Sequence, residues 1–344
     1  MHSSVFKTGF FALLLAGVAL SGQARAQTAG EVRIIASGGA SGESYDEGYV
    51  KPFIKKTGIK AVRETITTAP LGRLRAIVES GRIDAELLEI GGSGLAQAKA
   101  LGIIEKLDWK AIDPAPLYPE AQNEYGLGTQ YFAVIMAWRA DAKPLSSWQD
   151  FWNIEKFPGR RSLPDIPYYA IPIALLADGV ALDKVYPIDL DRAFRSLDRI
   201  KKHVSVWWQT GQQPVQLMTD NEVQYAAPYS GRVTGNAKFG YSFNQGMMQI
   251  SYLVMPKGVP DAKKAAAWKF LHEASLAENQ AIAARVISYT GGSRDLDKLL
   301  PQDRLAEFPT TAQNKAKQLP PNDAYWFENA MEVERRWQQF KLGL

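Results

Sequence analysis

Residues 31–65 read EVRIIASGGASGESYDEGYVKPFIKKTGIKAVRET, and this stretch carries one full period of an α/β architecture. EVRIIAS is a short apolar run rich in β-branched residues, which predicts a buried strand. GGASGES is a Gly/Ser loop that opens a helix through YDEGYVKPFIKKTG, and IKAVRET is the next predicted strand. The period then repeats. A helix is predicted over APLGRLRAIVESG, a strand over the second half of IDAELLEI, a loop at GGSG and a helix over LAQAKALG. Strands alternating with helices, with turn residues between them, predict a largely parallel sheet.

Outward from there, the Pro-rich connection DWKAIDPAPLYPEAQNEYGLG leads to a predicted strand, YFAVIMAW, and a second α/β unit begins at Arg139. Its predicted strands are RRSLPD, VSVWW and EVQYAAPYS, and QISYLVMP reads as a strand that returns to the first unit. In DLDRAFRSLDRIKKH, the residues Ala193, Phe194, Leu197 and Ile200 recur near helical spacing. QQPVQLMTDN is predicted as a helix with Pro214 in its first turn. AKKAAAWKFLHEA and AENQAIAARV are amphipathic, and NDAYWFENAMEVERRWQQFKLG is predicted as one long terminal helix.

The first residues, Lys7 followed by GFFALLLAGVAL and then SGQARAQ, have the charge, apolar run and Ala24-Arg25-Ala26 cleavage site of a secretory signal peptide. Cleavage is expected after Ala26. Removing residues 1–26 takes away Lys7 and Arg25 but no acid, so the formal charge falls from +4 to about +2. No basic run or stripe marks a nucleic-acid partner. The 344 residues contain no cysteine, so an exported chain must be held by an ordinary core, and a freely diffusing periplasmic monomer is expected. The mature length, about 318 residues, exceeds what single cores usually reach, which predicts two lobes.

Known catalytic patterns are missing. His203 and His272 are distant in the chain and flanked by Lys or Glu, which predicts surface histidines and no zinc site. Ser93 lacks the glycine spacing of a nucleophile elbow, and neither a Walker A loop nor a dinucleotide fingerprint occurs. The Tyr168–Tyr169 doublet is a weak hint of iron ligation without other ligands beside it. No metal or cofactor is expected, and a binding protein is favoured over an enzyme.

PFIKKTGIK, SGRIDAELLEIGGSGLAQAKALGIIEKLD, SSWQDFWNIEKFPGRRSLPD, GQQPVQLMTDNEVQYAAPYSGRV and YLVMPKGVPDAKKAAAWKFLHEA together resemble the periplasmic solute-binding proteins of ABC importers, within them the spermidine/putrescine-binding group. The resemblance runs from about Glu31 to the terminal helix. It implies a type II periplasmic-binding-protein fold: two hinge-linked α/β lobes closing on a small solute, then presented to a membrane permease. Lobe 1 is expected to comprise 27–137 plus 253–295, and lobe 2 to comprise 138–252 plus 296–344. Hinges are expected at 137–140 and 251–254.

Ligands of open α/β sheets lie off the carboxyl ends of strands, which selects five loops. They offer Ser41 and Glu43; Gly92 and Ser93; Asp165 and Tyr168; Trp208 and Thr210; and Tyr229 and Arg232. Neighbouring strand residues face opposite ways, so Trp207 is expected under a helix and Trp208 on the cleft wall, the alternative being that both are core. A cation stacked on Trp208 would gain about 0.5–2 kcal/mol. Arg232 either contacts ligand or braces the lobe by pairing with Asp165.

The resemblance implies that carboxylates grip the ammonium groups of a polyamine, with Asp165 at the family's acidic position and Tyr229 in place of a family tryptophan. Gln249 and Ser251 depart from that pattern, standing where diamine-binding relatives place an aromatic or acidic residue and an aspartate. The cargo expected is a putrescine- or spermidine-like polyamine or a related amine. The alternatives are an amino-acid-like, zwitterionic or anionic solute, and a sensor presenting ligand to a chemoreceptor.

Overall fold

The structure, a computed structural model, describes residues 30–343, so the predicted signal peptide and its cleavage point lie outside the described residues. The 31–65 stretch forms β1 (Glu31–Ala36), α1 (Gly39–Tyr45), a π-helical turn at Asp46–Val50, α2 (Lys51–Thr57) and β2 (Lys60–Thr65). Helix thus starts inside the predicted loop. Gly39 enters it at φ +59°, a conformation that glycine takes without a side-chain clash. Ser41 and Ser44 consequently sit on a buried helical face.

The first unit continues with α3 (Pro70–Ser80), β3 (Leu87–Gly91), α4 (Gly92–Ala100), α5 (Trp109–Ile112) and β4 (Gln122–Asn123). β5 (Gly126–Arg139) leads into α6 (Trp148–Trp152), β6 (Arg161–Pro164), α7 (Pro167–Ala177), α8 (Leu190–Lys201), β7 (Val204–Trp208), α9 (Gln213–Thr219) and β8 (Tyr225–Ala226). β9 (Phe239–Val254) returns to α10 (Asp261–Ser275) and α11 (Ala277–Val286). The tail holds α12 (Ala312–Lys315), α13 (Asp323–Glu328) and α14 (Ala330–Leu342), so the predicted terminal helix is broken at Asn329.

α8 shows how the local pattern works. The Asp189 carboxylate caps its first turn by accepting the Arg192 N–H at 2.9 Å. The predicted stripe of Ala193, Phe194, Leu197 and Ile200 is buried.

The strands are ordered β2-β1-β3-β9-β5-β8-β6-β7. β1 runs parallel to β2 and β3, and β6 runs parallel to β7 and β8, so each half is a small parallel sheet. Between the halves, β5 and β9 pair antiparallel from Gly126–Val254 to Arg139–Phe239, with ladder irregularities at Gly128/Gln130 and Val134/Met136. They form one hydrogen-bonded ribbon through both lobes.

Two large hydrophobic cores lie along that ribbon. Tyr131, Met248 and Ile250 belong to the first, and Val134, Met136 and Met247 belong to the second. The ribbon thus passes from one core to the next near residues 131–134 and 247–248, a few residues before the expected boundaries at 137/138 and 252/253; a long strand gives no local signal where it leaves one core for the next. The tail also divides. Leu296, Leu300 and Phe308 pack with α11, whereas Leu319, Trp326, Val333, Trp337 and Phe340 join the second core, so 296–344 is not wholly lobe 2.

Candidate functional site

The carboxyl ends of β1 and β3 in one lobe, and of β6 and β7 in the other, face the line where the ribbon passes between cores. The lobes touch there on two sides. A Cβ added to Gly231 would stand 2.7 Å from the side chains of Ile287 and Tyr289. One added to Gly92 would stand 2.0 Å from Asp323 Oδ2. Only glycine admits approaches this close.

A chain of rings runs through the same region. Tyr229 lies 5.2 Å from Trp208, 5.3 Å from Phe132 and 6.0 Å from Tyr169, each edge to face. Phe132 lies 5.3 Å from Tyr289. Tyr168 lies 5.5 Å from Tyr169 and 4.8 Å from Trp326. Burial pushes the Tyr168, Tyr169 and Tyr229 phenols up, so all three are neutral donors at physiological pH.

Three charges are set among these rings. Arg232 donates from Nη1 to Gln212 Oε1 at 2.9 Å, but its Nε is buried with no partner, and no carboxylate lies within 4 Å among the described residues. The guanidinium is near enough to Tyr289 to oppose the rise that burial imposes on that phenol. Glu89, in β3, is buried and accepts the Ser37 N–H at 2.6 Å. The Asp323 carboxylate accepts the Tyr168 hydroxyl at 3.0 Å.

Of the residues singled out from sequence, Gly92, Tyr168, Tyr229 and Arg232 are brought to this region. Gln249 is buried beside Tyr168, and its Nε2 donates to the Met248 carbonyl at 2.6 Å. Ser251 is buried on β9 opposite Gly91, and Ser93 is half-buried in the first turn of α4.

The rest are elsewhere or otherwise engaged. Ser41 Oγ donates to Gln130 Oε1 at 2.8 Å, tying α1 to β5, while Glu43 and Thr210 are exposed. Asp165 is held by α14 and by the residue after β7. Its Oδ1 accepts Trp337 Nε1 at 2.9 Å, and its Oδ2 accepts Gln209 Nε2 at 2.9 Å and Lys341 Nζ at 3.0 Å. Burial pushes this carboxyl up, but those three donors outweigh burial and hold it below the usual range. Neither expected role for Asp165, free acid or partner of Arg232, is what the geometry shows.

Trp207 packs against Trp337 and Phe340 of α14, at 5.7 and 5.6 Å. Trp208 is fully buried behind Tyr229, its Nε1 donating to the Ala227 carbonyl at 3.2 Å, so the wall position passes to Tyr229. Sequence reasoning missed Glu89, Phe132, Tyr289 and Asp323. Glu89 had a signal, a lone acid inside the apolar run AELLEI; Asp323, in the tail, had none.

Lobes closed on one another around rings and unpaired charges define a small-molecule binding protein. Among the described residues, no group of three or more His, Cys, Asp or Glu is placed to hold a metal, and no helix is long and apolar enough to cross a membrane. The sequence profile of the bacterial extracellular solute-binding proteins matches residues 48–303, and the chain belongs to that family. The γ-aminobutyric acid-binding protein of Pseudomonas aeruginosa is 30% identical over 340 residues, covering 95% of each chain. An ABC transporter substrate-binding protein from Bradyrhizobium japonicum superposes with a TM-score of 0.85 at 33% identity, covering 90% of this chain and 99% of its own. A GABA receptor of known structure superposes with a TM-score of 0.81 at 31% identity, covering 90% and 97%.

Proposed function

We propose that this protein is the periplasmic capture component of an ABC importer, and that its cargo is a short ω-amino acid resembling γ-aminobutyrate. The reading is supported by two relatives named for γ-aminobutyrate and by one feature of the site. That feature is Arg232, a half-buried side chain whose Nε is buried without a partner and whose guanidinium has no carboxylate within 4.0 Å among the described residues. Burying an uncompensated charge is unfavourable, and the planar fork of arginine matches a carboxylate in two hydrogen bonds. A solute carboxylate would satisfy it. Tyr229, Tyr169 and Phe132 would flank a short methylene chain, which needs contact but no hydrogen bonds.

The polyamine reading needs acids at both ends of the solute and no cation between them. Arg232 repels an ammonium, and Asp165 is already engaged by Lys341. A zwitterion suits this inventory better than a dication.

Thermal melting of the secreted chain against a panel separates the two. A ligand at 100 times its Kd adds about 2.7 kcal/mol, a rise on the order of 5 °C for a protein of this size. GABA is expected to raise the midpoint, with putrescine and spermidine at equal concentration leaving it in place. A rise with putrescine and none with GABA would overturn the proposal. Loss of labelled GABA uptake on deletion of the gene would assign import over chemosensing.

A further inference from the structure

We propose that Asp323 is the residue that makes the site select for an amine, by receiving the solute's ammonium group as the lobes close. The inference deepens the reading above and rests on it for the presence of an amine.

Asp323 lies beyond the residues matched by the family profile, on the tail helix α13, whose Trp326 joins the second core while the helix packs along α4 of lobe 1. Asn322 starts that helix, its side chain accepting the Tyr325 N–H at 3.1 Å, and this cap sets the carboxylate at the first helical position. From there it reaches across to lobe 1. Its Oδ2 comes so near the Gly92 Cα that a methyl there would stand 2.0 Å away. It is therefore held between the halves in the closed state.

Every group facing it is neutral. α7 presents Tyr168, the connection to α8 presents Tyr186, and β9 presents Tyr252 and, beside Tyr168, Gln249. α4 presents the backbone of Gly92, and its own helix adds Trp326, stacked on Tyr168. No Lys, Arg or His lies within 4.0 Å among the described residues. Burial pushes the carboxyl above its ordinary range, against the Tyr168 hydroxyl, which pulls it down.

Of the other acids of the region, Asp165 is paired with Lys341, and Glu89 is tied to the Ser37 N–H within lobe 1, whereas Asp323 alone reaches from the tail across to the opposite lobe. A half-buried carboxyl group walled by phenols and an indole is a receptor for a cation, which gains both the ion pair and the ring faces. An arriving ammonium also stabilises the ionised form. Binding an amine then releases a proton wherever the unliganded carboxyl is partly protonated.

The test is calorimetry on the mature chain with GABA, with butyrate as its deaminated counterpart, and with putrescine, each in two buffers of different ionisation enthalpy. Wild type is expected to prefer GABA over butyrate by 100-fold or more near neutral pH, and to release more protons on binding GABA as the pH is lowered. D323N keeps the volume and the bond from Tyr168; it is expected to reduce that preference to below tenfold and abolish the proton release. D323S serves if D323N does not fold, and the proton count needs no variant. Wild type that binds GABA, with D323N keeping both preference and release, overturns this proposal and leaves the zwitterion reading intact. Putrescine binding without GABA binding, lost in D323N, supports Asp323 and overturns the zwitterion. Binding of butyrate but no amine overturns both.

Discussion

Replacing Arg232 by glutamine tests the carboxylate end of the site most directly. The side chain makes one described hydrogen bond within the protein, to Gln212 at 2.9 Å, and leaves its Nε unpaired in a buried position. Losing that single bond costs the unliganded protein about 0.5–1.5 kcal/mol, and removing the unpaired buried donor offsets part of it. The apo melt is expected to fall by no more than a few degrees. Binding should suffer far more. Truncating one side of a desolvated charged pair removes about 2–5 kcal/mol, a loss of about 30-fold to a few thousandfold in affinity. Arg232→Lys keeps the charge without the fork and should fall between the two. Titration calorimetry with GABA gives the affinities, and circular dichroism gives the melts. An Arg232→Gln protein that binds within threefold of wild type, with its melt unchanged, would refute the assignment of the solute carboxylate to Arg232.

Trp208→Ala should destabilise the unliganded chain by about 3–5 kcal/mol in urea unfolding, since a fully buried indole and its bond to Ala227 are both lost. A change under 1 kcal/mol would return Trp208 to the cleft wall. Asp165→Asn should cost about 1–3 kcal/mol near neutral pH. The folded carboxyl titrates below its unfolded value, so this contribution is complete above the ordinary carboxylate range and disappears as acid protonates the folded form; the gap between variant and wild-type stability should close accordingly. Gly92→Ala puts a methyl against Asp323 Oδ2, so GABA affinity should drop at least tenfold and solution scattering should show no compaction with ligand.

The alternation of strands and helices was legible where elements are short and end on glycine or a capping residue, as α2 ends at Gly58 and Asp189 caps α8. The lobe boundary was not, since the ribbon strands stay apolar and paired while they change cores. The same difference governs the site. Tyr168, Tyr229 and Arg232 lie in segments just beyond strand ends, where the carboxyl-end rule looks, and the fold brings them to the candidate region. Asp165 obeys that rule too, but α14 arrives from 172 residues away to engage its carboxylate, a contact no local pattern carries. Asp323 comes from the tail by tertiary packing alone. Arg161 is a further case: within the predicted strand RRSLPD its guanidinium is wholly buried, donating to the carbonyls of Phe151, Gly159 and Phe157, which no local pattern announces.

The antiparallel pairing of β5 with β9 restricts how the halves can separate. Two strands zipped edge to edge resist splaying in their own plane, whereas torsion about their common axis strains few bonds. The interruptions at Gly128/Gln130 and Val134/Met136 bracket the crossing, and torsional compliance is greatest there. If the halves turn against one another, the strain of that rotation concentrates at these two steps. A cross-strand disulfide at either step is expected to lessen the compaction that ligand produces in solution scattering.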